Sequence, residues 1–302
     1  MIFKINSTFD FYKYSRLFNI ISILLVTLSF FLLLFKGLNY GVDFKGGTLI
    51  ELRVMDENIN ITNIRRSFLR MNLGDVNVKT FGNESDYLIK FETTETDNVN
   101  FIQEIQNKLT KDIGNSYNFR RVENVGPKVS GELLKSGIIA ILLSLSAMLI
   151  YIWLRFEWQF SLGAIIALIH DILITLGFFS ILNLEINLSI VAAVLTIVGY
   201  SMNDTVVIYD RVRENLKKYS SKKIDELTNI SINETLSRTI ITSVTTLLAL
   251  LSIFIFGGEI LKGFSFAMIL GVIFGTYSSI YIANPILRFL KVSPKTIIKE
   301  EK

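Results

Sequence analysis

Six runs of about 20 predominantly apolar residues divide this 302-residue chain, each long enough to cross the hydrocarbon core of a bilayer as a helix. They cover residues 17–35, 133–154, 158–182, 188–208, 239–256 and 263–287. Backbone polar groups in lipid must be satisfied within the segment, so such runs admit helices and no open-edged structure. The chain is therefore predicted to be a multi-pass membrane protein with six transmembrane helices, all-α within the bilayer. The first run is too long for the apolar core of a secretory signal, and Phe35-Lys36-Gly37-Leu38 after it is a poor cleavage site, so it reads as an uncleaved anchor.

Lys and Arg set the expected orientation. Lys4, Lys13 and Arg16, then Arg155, then Arg211, Arg213, Lys217, Lys218, Lys222 and Lys223, then Arg288, Lys291, Lys295 and Lys299 all fall on one side if the runs alternate. The short opposite connections, 183–187 and 257–262, hold only Lys262. By the positive-inside rule the basic side is cytoplasmic: residues 1–16, a loop at 209–238 and the tail 288–302. These flanks account for the net charge of +4, so it implies no nucleic-acid partner. With no cysteine, disulfides, zinc–thiolate sites and thiol catalysis are excluded.

The one long polar interval, residues 36–132, is large enough to fold by itself on the outer side. Residues 48–54 read as a strand, 61–71 as an amphipathic helix through Ile61, Ile64, Phe68 and Met71, and 76–80 with 87–91 as a hairpin around the turn-rich 82–86. A helix at 99–110 and a strand at 117–125 follow. The order β-α-β-β-α-β predicts a small ferredoxin-like α+β domain, a fold that hosts many tasks and names none.

Chemistry concentrates inside the membrane. Asp204 lies in the fourth run, where an isolated charge costs roughly 2.5–3.5 kcal/mol by insertion scales and marks a functional site by default. Its bland alternative is a boundary residue, one to two turns from the cytoplasmic end. Tyr200, Asn203 and Asp204 follow helical spacing, so they are expected to share a face. Arg238 leads Thr242 and Thr245 into the fifth run, either as a snorkelling flank or as the partner of Asp204 in an ion pair between consecutive antiparallel helices. His170, the only histidine, sits beside Asp171 in the third run. That pair is either a satisfied interhelical hydrogen bond or a direct participant in proton movement. One histidine is too few ligands for a metal site, and none is expected. Ala267, Gly271, Gly275, Ser279 and Ala283 recur every four residues in the sixth run, a ridge for close helix packing.

Residues 41–48, GVDFKGGT, nearly spell a phosphate-binding loop, but Gly47 stands where its Lys is required and no strand precedes it. Local chemistry reads the glycines as a turn into the first strand.

Several of these segments, taken in order, resemble the SecF family of bacterial protein-export subunits, within the RND superfamily. They are residues 41–47 after the first run, Val125-Gly126-Pro127-Lys128-Val129 before the second, His170-Asp171 in the third, VGYSMNDTVV at 198–207 with Asp210 and Arg211 in the fourth, ETLSRT at 234–239, and Phe256-Gly257-Gly258. The resemblance runs over nearly the whole chain. It implies half of an RND-type transporter in the bacterial inner membrane, with the α+β domain periplasmic and both termini cytoplasmic. It also implies pairing with SecD, cooperation with the SecYEG channel and YajC, and use of the proton-motive force on a translocating polypeptide, with no cofactor. Asp204 and Arg238 match the family's relay residues, with a partner carboxylate expected from SecD, while His170, Asp171, Asn203 and Tyr200 are implied in support. Gly41, Asp43, Gly46, Gly47, Gly126 and Pro127 become a structural signature at the membrane exit. The competing expectation is a scaffold subunit that stabilises SecD and the channel without carrying protons. A small-molecule exporter fragment is disfavoured because those proteins carry larger external domains.

Overall fold

The computed structural model describes residues 9–56, 59–92, 99–219, 222–294 and 296; Lys4, Lys295 and Lys299 of the basic flanks lie outside them. In chain order the elements begin with α1 (Phe11–Phe35), β1 (Asn39–Tyr40), α2 (Val42–Lys45), β2 (Gly47–Val54), α3 (Ile61–Arg70), β3 (Val76–Phe81), β4 (Asn83–Phe91), α4 (Val99–Ile113) and β5 (Tyr117–Val125). They continue with α5 (Pro127–Arg155), α6 (Trp158–Ile181), β6 (Glu185–Ile186), α7 (Leu188–Lys218), α8 (Ile224–Phe256), α9 (Gly258–Ser278), a π-turn (Ser279–Ala283) and α10 (Asn284–Phe289). Two units divide the chain: one of residues up to 39, 139–184 and from 189 on, the other of residues 40–138 and 185–188.

In the first unit, six helices among the described residues are long and apolar enough to span a membrane, the sixth running from Leu261 to Phe289 through the π-turn. All but α6 extend beyond the apolar runs, because their polar ends find partners. Asp10 caps α1 by accepting from the Lys13 N–H at 3.1 Å. The stretch expected as a loop at 209–238 is mostly helix: α7 continues to Lys218 and α8 starts at Ile224. Ion pairs hold these extensions, Arg211 bonding both Glu234 (2.7 Å) and Glu214, while Arg155 meets Asp210 at 2.9 Å and Arg213 meets Glu157 at 3.3 Å. Asp225 and Glu226 at the start of α8 complement its dipole.

Burial sorts the six helices. Within their most apolar windows α6, α7 and the sixth helix are 61%, 50% and 61% buried in this chain, whereas α1, α5 and α8 are 11%, 11% and 17% buried. The first three therefore form the protein's own centre, and the last three face lipid or another chain. Close backbone approach also seats α1 on that centre: a Cβ on Gly177 of α6 would sit 2.2 Å from the Ser29 hydroxyl of α1.

The second unit is an antiparallel sheet of order β3-β4-β2-β5 with α3 and α4 on one face, the ferredoxin-like arrangement. Ile50, Leu52 and Val54 of β2 alternate inward with Tyr87, Ile89 and Phe91 of β4 onto Ile64, Phe68, Ile105 and Leu109 of the helices. The hairpin differs from its sequence reading. Asn83 to Asp86 belong to β4, and Gly82, at φ +78°, makes the reversal almost alone. The opposite sheet face carries a charge cluster. Arg53 clamps Asp86 with two bonds of 2.7 Å, and Arg120 reaches Asp86 and Glu51 at 3.4 Å.

The Arg53 guanidinium holds the Asp86 carboxyl below its ordinary value, against the desolvation that would raise it. A folded-state value below the unfolded one adds stability above about pH 4, and that stability is lost as pH falls through the folded value. Pulse proteolysis of the full chain in urea should therefore find Asp86→Asn cleaved at lower urea than wild type at neutral pH. The gap should close in acid; a gap that persists at low pH would contradict this assignment.

Candidate functional site

Glycines bring α7 and α9 together. A Cβ on Gly271 would lie 2.3 Å from the Ile197 side chain, one on Gly275 would lie 2.9 Å from Ser201 Cβ, and one on Gly263 would lie 3.2 Å from Ile190. Ile190, Ile197 and Ser201 are thus the α7 rail on which the small-residue ridge rides. At this spacing short hydroxyl side chains can bridge the helices, and two carboxylates lie where they do so.

Asp204 is buried, and its Oδ2 accepts from Thr276 of α9 at 3.4 Å. Thr276 in turn lies 2.7 Å from Ser243 of α8. Arg238 is close enough to act on Asp204 through space but makes no ion pair with it among the described residues. The expected shared face also divides. Asn203 is exposed and lines an open groove with Gly199, Asp210, Tyr151 of α5, and Thr235 and Arg238 of α8, whereas Asp204 turns inward between α7 and α9. Consecutive residues on a helix point about 100° apart, which is enough to put one in the groove and the next in the core. The Tyr200 hydroxyl is buried and has no hydrogen-bond partner among the described residues.

Asp171 is fully buried and better supplied. His170 Nδ1 donates to its Oδ1 at 2.9 Å, and its Oδ2 accepts from Ser201 of α7 at 2.7 Å and Ser278 of α9 at 2.8 Å. The carboxylate ties α6 to both partners of the glycine contact. The His170 ring stacks on Tyr277, centroids 5.9 Å apart, and Tyr277 bonds Ser22 and the Phe18 carbonyl of α1 at 2.6 Å each. The sequence reading names Asp171 but not Thr276 or Ser278. The available signal was Thr276-Tyr277-Ser278-Ser279, a polar run inside an apolar segment next to the glycine ridge.

Just beyond this run the sixth helix widens into its π-turn. Pro285 has no N–H to continue the ladder, and the Asn284 side-chain amide donates to the Ser279 carbonyl at 2.7 Å. Tyr209 of α7 donates to the Ala283 carbonyl at 2.9 Å, its hydroxyl filling the notch left by Gly163 of α6. Such turns are frequent at functional sites.

In the other unit the signature residues build a junction. Gly41 donates its N–H to the Ile186 carbonyl at 2.8 Å, and Asp43 accepts from the Leu188 N–H at 2.8 Å, satisfying one free amide at the start of α7. Gly47 has φ +120°, and a Cβ there would lie 2.6 Å from the Phe91 carbonyl, so only glycine lets β2 enter the sheet. It pairs with Val125, and Gly126-Pro127 follow at once, with Pro127 opening α5. Among the described residues no cluster of three or more His, Asp or Glu is placed to hold a metal.

Comparisons with known proteins agree on one family. Residues 105–293 match the family described as protein export membrane protein SecD/SecF, C-terminal, and residues 31–54 match the SecD/SecF GG motif. The chain is 47% identical over 280 residues to protein translocase subunit SecF of Rickettsia bellii, covering 92% of each chain. To its counterpart from Rickettsia typhi it is 45% identical over 285 residues, covering 94% of this chain and 92% of that one. The crystal structure of SecDF from Thermus thermophilus, a translocon-associated membrane protein, superposes with a TM-score of 0.85 at 34% identity over 96% of this chain. SecDF in a super-membrane-facing form superposes at 0.72 with 32% identity over all of it. This chain spans 40% and 41% of those longer SecDF chains.

Gly271→Val should push α7 from α9 and loosen both carboxylate sites. We expect a lower melting temperature in micelles than for Gly131→Val, where nothing lies within 4 Å of the added Cβ. Equal melting temperatures would contradict the packing role.

Proposed function

The chain belongs to the SecD/SecF family of protein-export membrane proteins, and from that premise we propose that it works as the SecF half of a SecD–SecF unit. In this reading the proton-motive force across the bacterial inner membrane drives the movement of translocating polypeptides delivered through the SecYEG channel, with YajC as an accessory. The observation that carries the reading is the buried carboxylate of Asp204, reached by one long hydrogen bond and standing close to Arg238, which makes no ion pair among the described residues. A proton arriving there changes the charge at the contact of three helices. Neutralising Asp204 removes its attraction for Arg238, which is then free to turn fully toward the groove and a carboxylate supplied by SecD. Helix interfaces with two packings respond to such a change as a switch. One charge crossing 100 mV is worth about 2.3 kcal/mol, which suits a ratchet that biases forward movement of the exported chain.

The open groove between α5, α7 and α8 supports SecD as the neighbour. Asn203 and Arg238 line it, polar side chains that would be expensive to leave facing lipid, and the solved SecDF chains continue well beyond the part matched here. In the orientation proposed, residues 36–132 are periplasmic and both termini cytoplasmic. A membrane-impermeant maleimide applied to intact spheroplasts should label Ser85→Cys and leave Lys217→Cys unlabelled until the membrane is opened. The reverse pattern would invert the topology.

Translocation into energised vesicles with normal subunit levels tests the mechanism. Asp204→Asn and Arg238→Ala should each abolish the proton-dependent part of export while leaving the ATP-dependent part. If both retain full proton-dependent export, the chain acts as a scaffold for SecD and the channel.

A further inference from the structure

Asp171 is as deeply buried as any residue in the protein, and the relay through Asp204 and Arg238 makes no use of it. Its environment is specific. Both oxygens are occupied, one by the single histidine and the other by hydroxyls from two different helices. One of these donors has somewhere else to go. Ser278 Oγ lies 3.2 Å from the Gly275 carbonyl in its own helix as well as 2.8 Å from Asp171. The His170 ring is buried, and its second nitrogen, Nε2, has no partner among the described residues. A histidine whose Nδ1 is committed to a carboxylate while Nε2 stands open is arranged to take a proton on one side and pass one on from the other.

We propose that His170 and Asp171 form a second proton-binding site, which locks the sixth spanning helix to α6 when empty and releases it when filled. In the empty state Asp171 is ionised and accepts from His170, Ser201 and Ser278. A proton drawn from the gradient bonds to Nε2 of His170, the Nδ1–H bond breaks, and that proton forms an O–H bond on Oδ1 of Asp171. The imidazole ends neutral as the other tautomer, and the carboxyl ends neutral. A neutral carboxyl accepts hydrogen bonds less strongly, so Ser278 swings its O–H to the Gly275 carbonyl and α9 loses its tie to α6. The consequence reaches Asp204, because Thr276, its hydroxyl donor, stands two residues from Ser278 on the same helix. Ser201 and Asp204 are likewise one turn apart on α7. Both carboxylates thus read the same α7–α9 register.

The titratable groups around the pair are few among the described residues. From α9 the Tyr277 phenol lies against the imidazole, α7 carries Asp204 one turn beyond Ser201, and α1 reaches the site only through Ser22 on Tyr277. Hydroxyls fill the rest of the surroundings: Thr175, bonded to the Asp171 carbonyl at 2.8 Å, and Thr205, 2.8 Å from Ser279. Among the described residues no Lys or Arg is paired with Asp171; its one ionic partner is His170, if protonated.

This proposal rests on the proton-driven reading of the protein, yet its test uses no export and stays separate from that reading. The full-length chain in lipid nanodiscs is titrated by infrared difference spectroscopy, which reads the carbonyl stretch of protonated carboxyls. Wild type should show bands from two buried carboxyls. Asp204→Asn should lose one and keep the other, and Asp171→Asn should lose the band that Asp204→Asn keeps. Ser278→Ala and Ser201→Ala leave the carboxyl in place but each remove one donor, so each should move that band, which keeps the test open if Asp171→Asn fails to fold. His170→Gln should slow the band's appearance after a pH jump. The proposal is overturned if Asp204→Asn removes every buried-carboxyl band, or if the remaining band neither disappears in Asp171→Asn nor moves in the serine variants.

Discussion

Two carboxylates placed where water is scarce govern the membrane unit. Burying an ionised group is tolerable only when donors converge on it, and in this chain, apart from His170 beside Asp171, the side-chain donors come from neighbouring helices. Asp171 requires Ser201 and Ser278, and Asp204 requires Thr276. Hydroxyl side chains are short, so α6, α7 and α9 have to approach closely. That explains why Gly271 and Gly275 face Ile197 and Ser201, and why Gly163 admits Tyr209. The packing that stabilises the centre and the chemistry that could move a proton are the same set of contacts.

This arrangement also explains the uneven burial of the six helices. The three that share the carboxylates enclose one another, while α1, α5 and α8 leave broad apolar faces, with Leu143, Trp153, Leu248 and Phe256 all exposed. An apolar face toward lipid needs no partner. A face with Asn203 and Arg238 on it does, and the groove between α5, α7 and α8 is where this chain is least complete by itself.

Much of the architecture was legible from pattern alone. Runs of about 20 apolar residues declared six spans, and two amphipathic helices among alternating strands declared the sandwich, because both patterns are enforced by burial. Helix ends were less legible. Residues 209–238 read as a loop because they are polar, but Arg211, Glu214, Asn215, Ser231 and Glu234 bond one another across two helices and hold them in register. Within the site, helical spacing put Asn203 and Asp204 on one face, yet one opens to the groove and the other to the core. Only the positions of the neighbouring helices settle which side of a stripe is wet. The roles of Thr276 and Ser278 were hidden for a similar reason: a hydroxyl in an apolar helix usually bonds its own carbonyls, and sequence carries no mark of the few that reach across.

The central claim is that the charge on these carboxylates sets the packing of the helices around them. Because the chain has no cysteine, it can be tested directly with spin labels at Leu143→Cys on α5 and Leu248→Cys on α8, exposed positions on two of the helices that line the groove. Pulsed electron resonance on the labelled protein, assembled in nanodiscs with the SecD subunit proposed to pair with it, would measure the distance distribution across the pH range. The account predicts two populations whose ratio changes with pH in wild type, and a distribution fixed at the acid limit when Asp204→Asn and Asp171→Asn are combined. A single distribution, indifferent to pH and to both substitutions, would contradict it.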